Sequence, residues 1–454
     1  MIRIIIYLKQ LFIFNAKSSL LILFIQYSMN RRKFLSKSLP CVALAPGLVQ
    51  SAMANDRINM GFIGVGGMGF GHVRSFSSYP EVRAIAVCDV RKEHRNRAKA
   101  YIDRRYGDQA CQTYNDYREL LSRPDIDAVC MAAPDHWHAL IGIQAARQGK
   151  HIYYEKPLTM SIQESKAVRR AVRQYGIVFQ FGTQQRSDFR FRWTCDRVRK
   201  GMLGELQTIM IGSANYVPIP QQPVQPVPEG FDYDMWLGPA PWSPYTHERC
   251  TRQWTLISDY SLGCISGAWG IHQVDIAQMA LDSDDAVPLE TEGTGVYPKK
   301  GLYDTVLEWQ VEHRYPNGVK LIHMDMPTAK KMASQFELHW MGVLFQGSEG
   351  WIYVCREGIW AEPASLLRTR ISKTESTLIH SNNQHQNFLD AIRCNKATVS
   401  PIDAAYHADL ICHHADIAMR LNKRLEWDPV REEFKNDPKA NRLMNRAMRS
   451  PWHL

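Results

Sequence analysis

The chain predicts an α/β protein: an N-terminal doubly wound parallel sheet, then a C-terminal α/β domain with a large open, mostly antiparallel sheet. Three observations carry this. Strand-like and helix-like segments alternate over residues 57–186, the order that builds a parallel sheet with helices on both faces. The first strand runs straight into a glycine-rich turn, GVGGMG. Past about Arg190 the alternation gives way to long strand-like segments in succession, as in a sheet built largely of antiparallel neighbours.

Taken in order, RINMGFIGV is a buried strand and GMGFGHVRSFSSY a helix opened by glycines. VRAIAVCDV is the next strand, followed by the charged helix RKEHRNRAKAYIDRRYG and the shorter helix NDYRELLSR. DAVCMAAP (strand), HWHALIGIQAARQG (helix), HIYYEKP (strand), SIQESKAVRRAVRQYG (helix) and IVFQFGTQQR (strand) complete the first domain. In the second, LQTIMIGSANYV, LYDTVLEWQVEHRY, GVKLIHMDMP, ELHWMGVLFQG and GWIYVCREGIW read as strands, with helices at 189–200 and 268–281 against them. VPIPQQPVQPVPEG (217–230) is a proline-dense loop, and the chain returns to helix over 382–454. The expected boundaries are 55–186, 187–400 and a helical segment 401–454 packing back on the body.

Residues 1–54 stand apart. They hold seven basic side chains and no acid; without them 48 basic residues face 45 acidic ones. So near-neutral a body gives no footprint for nucleic acid. NRRKFLSKS (30–38), the apolar run after it and AMA (52–54) form a twin-arginine signal with an A-x-A cleavage site, which predicts export to the periplasm and a mature chain from Asn55. Met29 is the more natural start, with 1–28 as translated upstream sequence. Lys9 and Lys17 break the apolar stretch before it reaches the ~20 residues of a membrane span, so no permanent span is expected.

The chemistry sits at the strand ends, where ligands bind in such sheets. Gly64, Gly66 and Gly69 make the G-x-G-x-x-G turn, with Met68 inside it; this lets backbone N–H groups meet a pyrophosphate at a helix N-terminus. Asp89 ends the second strand twenty residues on, placed for ribose hydroxyls, which favours NAD over NADP; Arg91 nearby keeps NADP open. Glu155 and Lys156 of EKP lie where a nicotinamide would. In APDHWHA, Pro134 and Trp137 would wall the cofactor and His138 would reach nicotinamide or substrate. Gln184 and Arg186 of GTQQR are polar ligand candidates. SLGCISGAWGIHQVDIAQMA (261–280) places His272 and Asp275 three apart, on one face of a helix. YHADLICHHAD (406–416) is rich in histidine, but its ligand types scatter around a helix, so no metal is expected. Trp236 and Trp242 would either pack the loop or stack on a sugar.

In this arrangement the chain resembles the Gfo/Idh/MocA oxidoreductases, in a secreted twin-arginine branch: GFIGVGGMG, CDV, EKPL and GIHQVDIAQ match the family's motifs in order. The resemblance implies a Rossmann domain, NAD(P), a carbohydrate or cyclitol substrate and a homo-oligomer. It implies Lys156 and His272 as catalytic residues and Asp275 as a substrate ligand. The family's usual D-x-x-x-H-x-x-D motif lacks its first aspartate here, since position 268 is alanine; Asp259 or Tyr260 would then have to hold His272. The expected activity is NAD-dependent oxidation or reduction of a sugar hydroxyl. The alternatives are a glycosidase or lyase that uses NAD without net redox change, and a non-catalytic sugar-binding protein.

Overall fold

The computed structural model describes residues 57–282, 286–369 and 376–454. Contacts divide the chain into Met1–Asp56 and Arg57–Leu454, and the second unit is the one described. The twin-arginine segment and its cleavage site lie outside the described residues.

Six strands form a parallel sheet: β1 (Ile58–Ile63), β2 (Val82–Cys88), β3 (Gln112–Tyr114), β4 (Ala128–Met131), β5 (His151–Tyr154) and β6 (Phe179–Phe181), in the order β3-β2-β1-β4-β5-β6. The helices between them are α1 (Gly67–Phe76), α2 (Lys92–Tyr106), α3 (Tyr117–Leu121), α4 (His138–Arg147) and α5 (Ile162–Tyr175). Strand order reverses between β1 and β4, and that switch point opens a crevice at the strands' carboxyl ends. Helix α5 shows how local sequence sets an element. Ser161 accepts the Glu164 N–H at 3.3 Å and the Glu164 carboxylate accepts the Met160 N–H at 3.0 Å, a reciprocal cap at the N-terminus. Gly176, at φ 60°, ends it.

The second sheet has nine strands. In chain order these are β7 (Leu206–Ser213), β8 (Glu290–Val296), β9 (Glu308–Arg314), β10 (Lys320–Asp325), β11 (Gly342–Gly347), β12 (Trp351–Cys355), β13 (Ile359–Glu362), β14 (Leu425–Asp428) and β15 (Glu433–Phe434). Only β7 and β10 pair in parallel; the other neighbours are antiparallel. Helices α6 (Phe189–Arg199), α7 (Tyr233–Leu237), α8 (Ile271–Leu281), α9 (Met326–Met332), α10 (Gln384–Cys394), α11 (Ile402–Leu421) and α12 (Pro438–Leu443) complete the chain.

The C-terminal quarter binds the two sheets together. Helix α10 sends Phe388, Leu389 and Ile392 into the core cluster that also holds Phe62 and Phe76 of the first domain. Helix α11 packs against α5, α8 and β8, and β14 and β15 extend the second sheet. The segment after residue 401 therefore contributes strands as well as helices. Among the described residues no helix is long and apolar enough to cross a membrane.

Candidate functional site

The glycine turn has the geometry its sequence requires. Gly64 sits at φ +76°, and a Cβ there would lie 2.6 Å from the Ala132 carbonyl oxygen, so the β1 and β4 loops touch at the switch point. A Cβ on Gly69 would fall 1.7 Å from the Gly64 carbonyl oxygen. Beyond Gly67 there is open space, Met68 is half exposed, and no side chain caps α1. The first N–H groups of a helix have no partner within it, so this cradle fits a dinucleotide pyrophosphate. Asp89 stands at the end of β2. Its carboxylate accepts the N–H groups of Val65 and Arg91, both at 2.9 Å, and lies 3.2 Å from His94 Nδ1, tying the glycine turn to the second strand. The Arg91 guanidinium lies 3.7 Å from the centre of the Phe231 ring.

Four segments meet beyond the crevice. Lys156, just past β5, donates from Nζ to the Gly267 carbonyl at 2.7 Å. Asp135, just past β4, is 2% exposed and accepts from Ser261 Oγ at 2.6 Å. A Cβ on Gly267 would lie 2.1 Å from Asp135 Oδ2 and 2.5 Å from Ser261 Oγ, so only glycine lets these groups close together. Burial pushes the Asp135 carboxyl up to about 7, although the positive charge of Lys156 opposes it. His272, in the first turn of α8, is 3% exposed and its buried Nδ1 has no hydrogen-bond partner. Burial, then the charges of Lys156 and Arg356, hold its pKa well below the usual imidazole value, so the ring is neutral at neutral pH.

Glu155 accepts the Lys156 backbone N–H at 3.1 Å and joins a buried network. It accepts from His72 Nε2 at 2.9 Å and from Gln184 Nε2 at 3.3 Å. His72 Nδ1 lies 2.8 Å from Nε2 of His385, whose Nδ1 lies 3.1 Å from Ser75 Oγ. Burial pushes Glu155 upward, but the hydrogen bond and charge of His72, with Lys156, outweigh it and the carboxyl ends below its usual range. The strand bearing EKP is followed by a backbone held from afar. Asp409 of α11 accepts the N–H groups of Leu158 and Thr159, both at 3.3 Å, and Ser165 Oγ at 2.8 Å, and it pairs with His413 at 3.2 Å. That pairing gives two residues of the histidine-rich segment a structural task; among the described residues no group of His, Cys, Asp and Glu converges as a metal site.

The structure separates several expected ligands from the cleft. His138 is 1% exposed, with Nδ1 2.7 Å from the Pro157 carbonyl and Nε2 2.9 Å from that of Ala133; it clasps the two loops and presents no nitrogen to a substrate. Trp137 is buried, donates to the Trp236 carbonyl at 3.1 Å and packs on Tyr117 and Trp452. Pro134 caps the short helical turn 135–137 beside it. Arg186 and Asp275, expected as two separate ligands, form a buried bidentate pair at 2.8 Å, because the carboxylate on α8 faces the guanidinium that follows β6. Trp236 packs on Tyr233 and Tyr260, while Trp242 is exposed. Neither Asp259 nor Tyr260 holds His272: the Tyr260 hydroxyl accepts from Arg249 at 3.1 Å, and the Asp259 carbonyl accepts from Arg446. Ala268 lies in a turn before α8, its N–H on the Gly263 carbonyl, rather than a helical turn below the histidine. Asp135 joins the site although no motif marks it; its one signal in the sequence is an acid directly after the strand-ending Pro134.

A dinucleotide cradle at the switch point of a parallel sheet, facing a lysine and a histidine from two domains, defines an NAD-binding dehydrogenase fold with a second α/β domain. The chain belongs to the Gfo/Idh/MocA oxidoreductase family: residues 58–183 match its NAD-binding Rossmann fold and residues 211–454 its C-terminal alpha/beta domain. It is 33% identical over 162 residues to the uncharacterized oxidoreductase YrbE of Bacillus subtilis, covering 36% of this chain and 46% of the relative. It is 29% identical over 289 residues to a glycosyl hydrolase family 109 protein of Shewanella sp. strain ANA-3, covering 62% of this chain and 56% of that protein. The chain thus aligns with about half the length of these curated relatives. A scyllo-inositol dehydrogenase from Lactobacillus casei, solved with NAD(H) and scyllo-inositol, shares the fold at a TM-score of 0.56 and 16% identity, over 82% of this chain and 99% of that one.

Proposed function

We propose that the chain is an NAD-dependent oxidoreductase that interconverts a secondary hydroxyl and a ketone on a sugar or glycoside. The observation that carries this is the meeting of Lys156 and Asp135, from the carboxyl ends of β5 and β4, with the Gly267 turn and neutral His272 of the second domain. When bound, the nicotinamide supplies the hydride acceptor or donor. His272 takes the hydroxyl proton as the carbon–oxygen double bond forms, a role suited to a buried neutral imidazole. Lys156, anchored on the Gly267 carbonyl, has two further protons with which to hold the same oxygen. Asp89 favours NAD over NADP. Arg91, the cation that kept NADP open, lies over Phe231, and this supports the choice.

The likeness to glycosyl hydrolase family 109 proteins supports a second reading. In it, the same residues serve a reaction that oxidises a ring carbon, eliminates the aglycone with loss of the adjacent C–H proton, adds water across the resulting double bond and returns the hydride to the ketone. Both readings are tested by incubating the purified protein with NAD and a panel of free sugars and nitrophenyl glycosides, reading NADH absorbance and released aglycone together. NADH accumulation supports the first, aglycone release without it the second, and neither signal with any member points to a sugar-binding protein. We further propose export to the periplasm by the twin-arginine route, supported by the paired arginines Arg31 and Arg32 and the AMA site. Mature protein from the periplasm should begin at Asn55, and replacing both arginines by lysine should retain precursor in the cytoplasm; an intact N-terminus on periplasmic protein overturns this.

A further inference from the structure

The cleft holds a second cation that hydride transfer does not require. Arg356 lies in the turn between β12 and β13, and its guanidinium sits 4.5 Å from the centre of the Trp269 ring. Trp269 in turn meets the Trp340 ring edge-on at 5.1 Å and the His272 ring at 5.7 Å. Arg356 is therefore separated from the neutral histidine by one indole, and its charge is felt there. Among the described residues its side chain forms no ion pair and no hydrogen bond. The carboxylate whose charge reaches it, Asp188, is held instead by Arg190, at 2.6 and 3.1 Å.

A half-buried guanidinium without an acceptor has given up part of its hydration with nothing in return. Stacking on an indole fixes the plane of the guanidinium and leaves its N–H edge open. That edge matches a planar carboxylate, or two oxygens of a phosphate or sulfate, better than it matches a hydroxyl. The surroundings agree in sign. Lys156 adds a second positive charge, whereas the nearby carboxylates are engaged: Asp135 with Ser261, and Asp275 with Arg186. A neutral sugar would leave this arginine unpaired in the complex.

We propose that Arg356 is the recognition residue for an anionic group on the substrate, and that the substrate is an acidic sugar lying over Trp269 and Trp340 with its reacting hydroxyl at His272 and Lys156. The carboxylate of a uronic acid and a phosphate or sulfate ester share the required chemistry. The proposal rests on the reading that His272 and Lys156 face a sugar hydroxyl, but it is tested by binding, which needs no turnover. The full chain, loaded with NAD, is titrated calorimetrically with D-glucuronate, D-galacturonate, glucose 6-phosphate and glucose 6-sulfate, and with glucose, galactose and the methyl ester of glucuronate. At least one acid should bind about tenfold or more tighter than its neutral counterpart, the range set by a hydrogen bond to a charged group. Arg356→Gln should erase that advantage, and Arg356→Lys should retain part of it. A thermal unfolding curve for both variants separates loss of the contact from loss of the fold, and the lysine variant keeps the test open if the glutamine variant unfolds. Neutral sugars or the ester binding as well as the acids, no acid binding at all, or an acid preference that survives in Arg356→Gln overturns the proposal. An acid that binds through Arg356 yet yields neither NADH nor aglycone leaves it standing and removes the redox reading alone.

Discussion

At the scale of single residues, the site turns on which groups keep a free hand. His272 has a buried nitrogen with no partner, whereas His138 has both nitrogens committed to carbonyls. The two imidazoles are equally buried, and only the first can exchange a proton with a ligand. His272→Ala should lower kcat by ~10²–10⁴-fold, the range of a positioned general base. Lys156→Ala should do comparable damage, and the double variant should be only slightly worse because both act on one oxygen. Turnover numbers on the best substrate check this, and near-normal turnover in His272→Ala would reduce that residue to packing. Asp135 carries a separate prediction. Its folded value of about 7 lies above the usual carboxylate value of 3.8, so the folded state holds a proton that the unfolded state has lost across that interval. The resulting stabilisation, roughly 4 kcal/mol at most, is fully present below about pH 4 and is lost as pH rises to about 7. Asp135→Asn should abolish that slope of stability against pH. It should also remove a limb of the kcat profile near neutrality, since the ionised carboxylate lies within reach of the Lys156 charge. Urea unfolding at several pH values and a pH–rate profile read the two effects independently.

At the scale of elements, the strand end that carries Lys156, the proposed catalytic lysine, depends on a helix far along the chain. Asp409 on α11 is the acceptor for the backbone at Leu158 and Thr159, two and three residues past Lys156. Its partner His413 is drawn down by burial, but the charge and hydrogen bond of Asp409 win and its pKa is raised. The pair's contribution is therefore complete below the ordinary histidine value and fades as pH rises through the folded one. Asp409→Ala strands two backbone N–H groups and a buried imidazole, and breaking such a buried pair costs about 3–5 kcal/mol. A loss of unfolding free energy of that size, seen also as a lower Tm, is expected, together with a lower kcat from the loosened EKP strand end. An unchanged Tm would show that α11 docks without it. The glycine turn combines a local and a distant contribution: missing side chains at Gly64 and Gly69 give the clearance it needs, while Asp89 accepts its Val65 N–H and Arg97 donates to its Val65 and Gly66 carbonyls.

At the scale of the whole molecule, the two sheets are joined by the returning C-terminal segment, and the cleft forms where the crevice of one meets the Gly267 turn of the other. Binding of NAD to the folded chain alone should stabilise it by about 2.7 kcal/mol at a hundredfold excess over Kd, seen as a higher Tm. Asp89→Ala should cut the NAD-induced shift more than the NADP-induced shift. Equal losses for the two would remove Asp89 from ribose recognition and leave it only the task of anchoring Val65.

The sequence by itself determined the α/β class, both domains' sheet types and the cofactor cradle. These depend on near-neighbour rules: the spacing of glycines, the alternation of strand and helix, the caps at helix ends. It also marked Lys156 and His272, whose motifs are contiguous. Tertiary structure alone decided how the remaining charges are spent. Arg186 and Asp275 lie 89 positions apart and look like two ligands in the sequence, yet they satisfy one another once buried. Asp135 and Ser261, 126 positions apart, come together over a glycine whose missing side chain makes the room. A linear sequence shows which groups are charged or polar. Whether a group is left for a substrate depends on which partner the fold brings within hydrogen-bonding distance, because a buried charge takes the first partner it can reach.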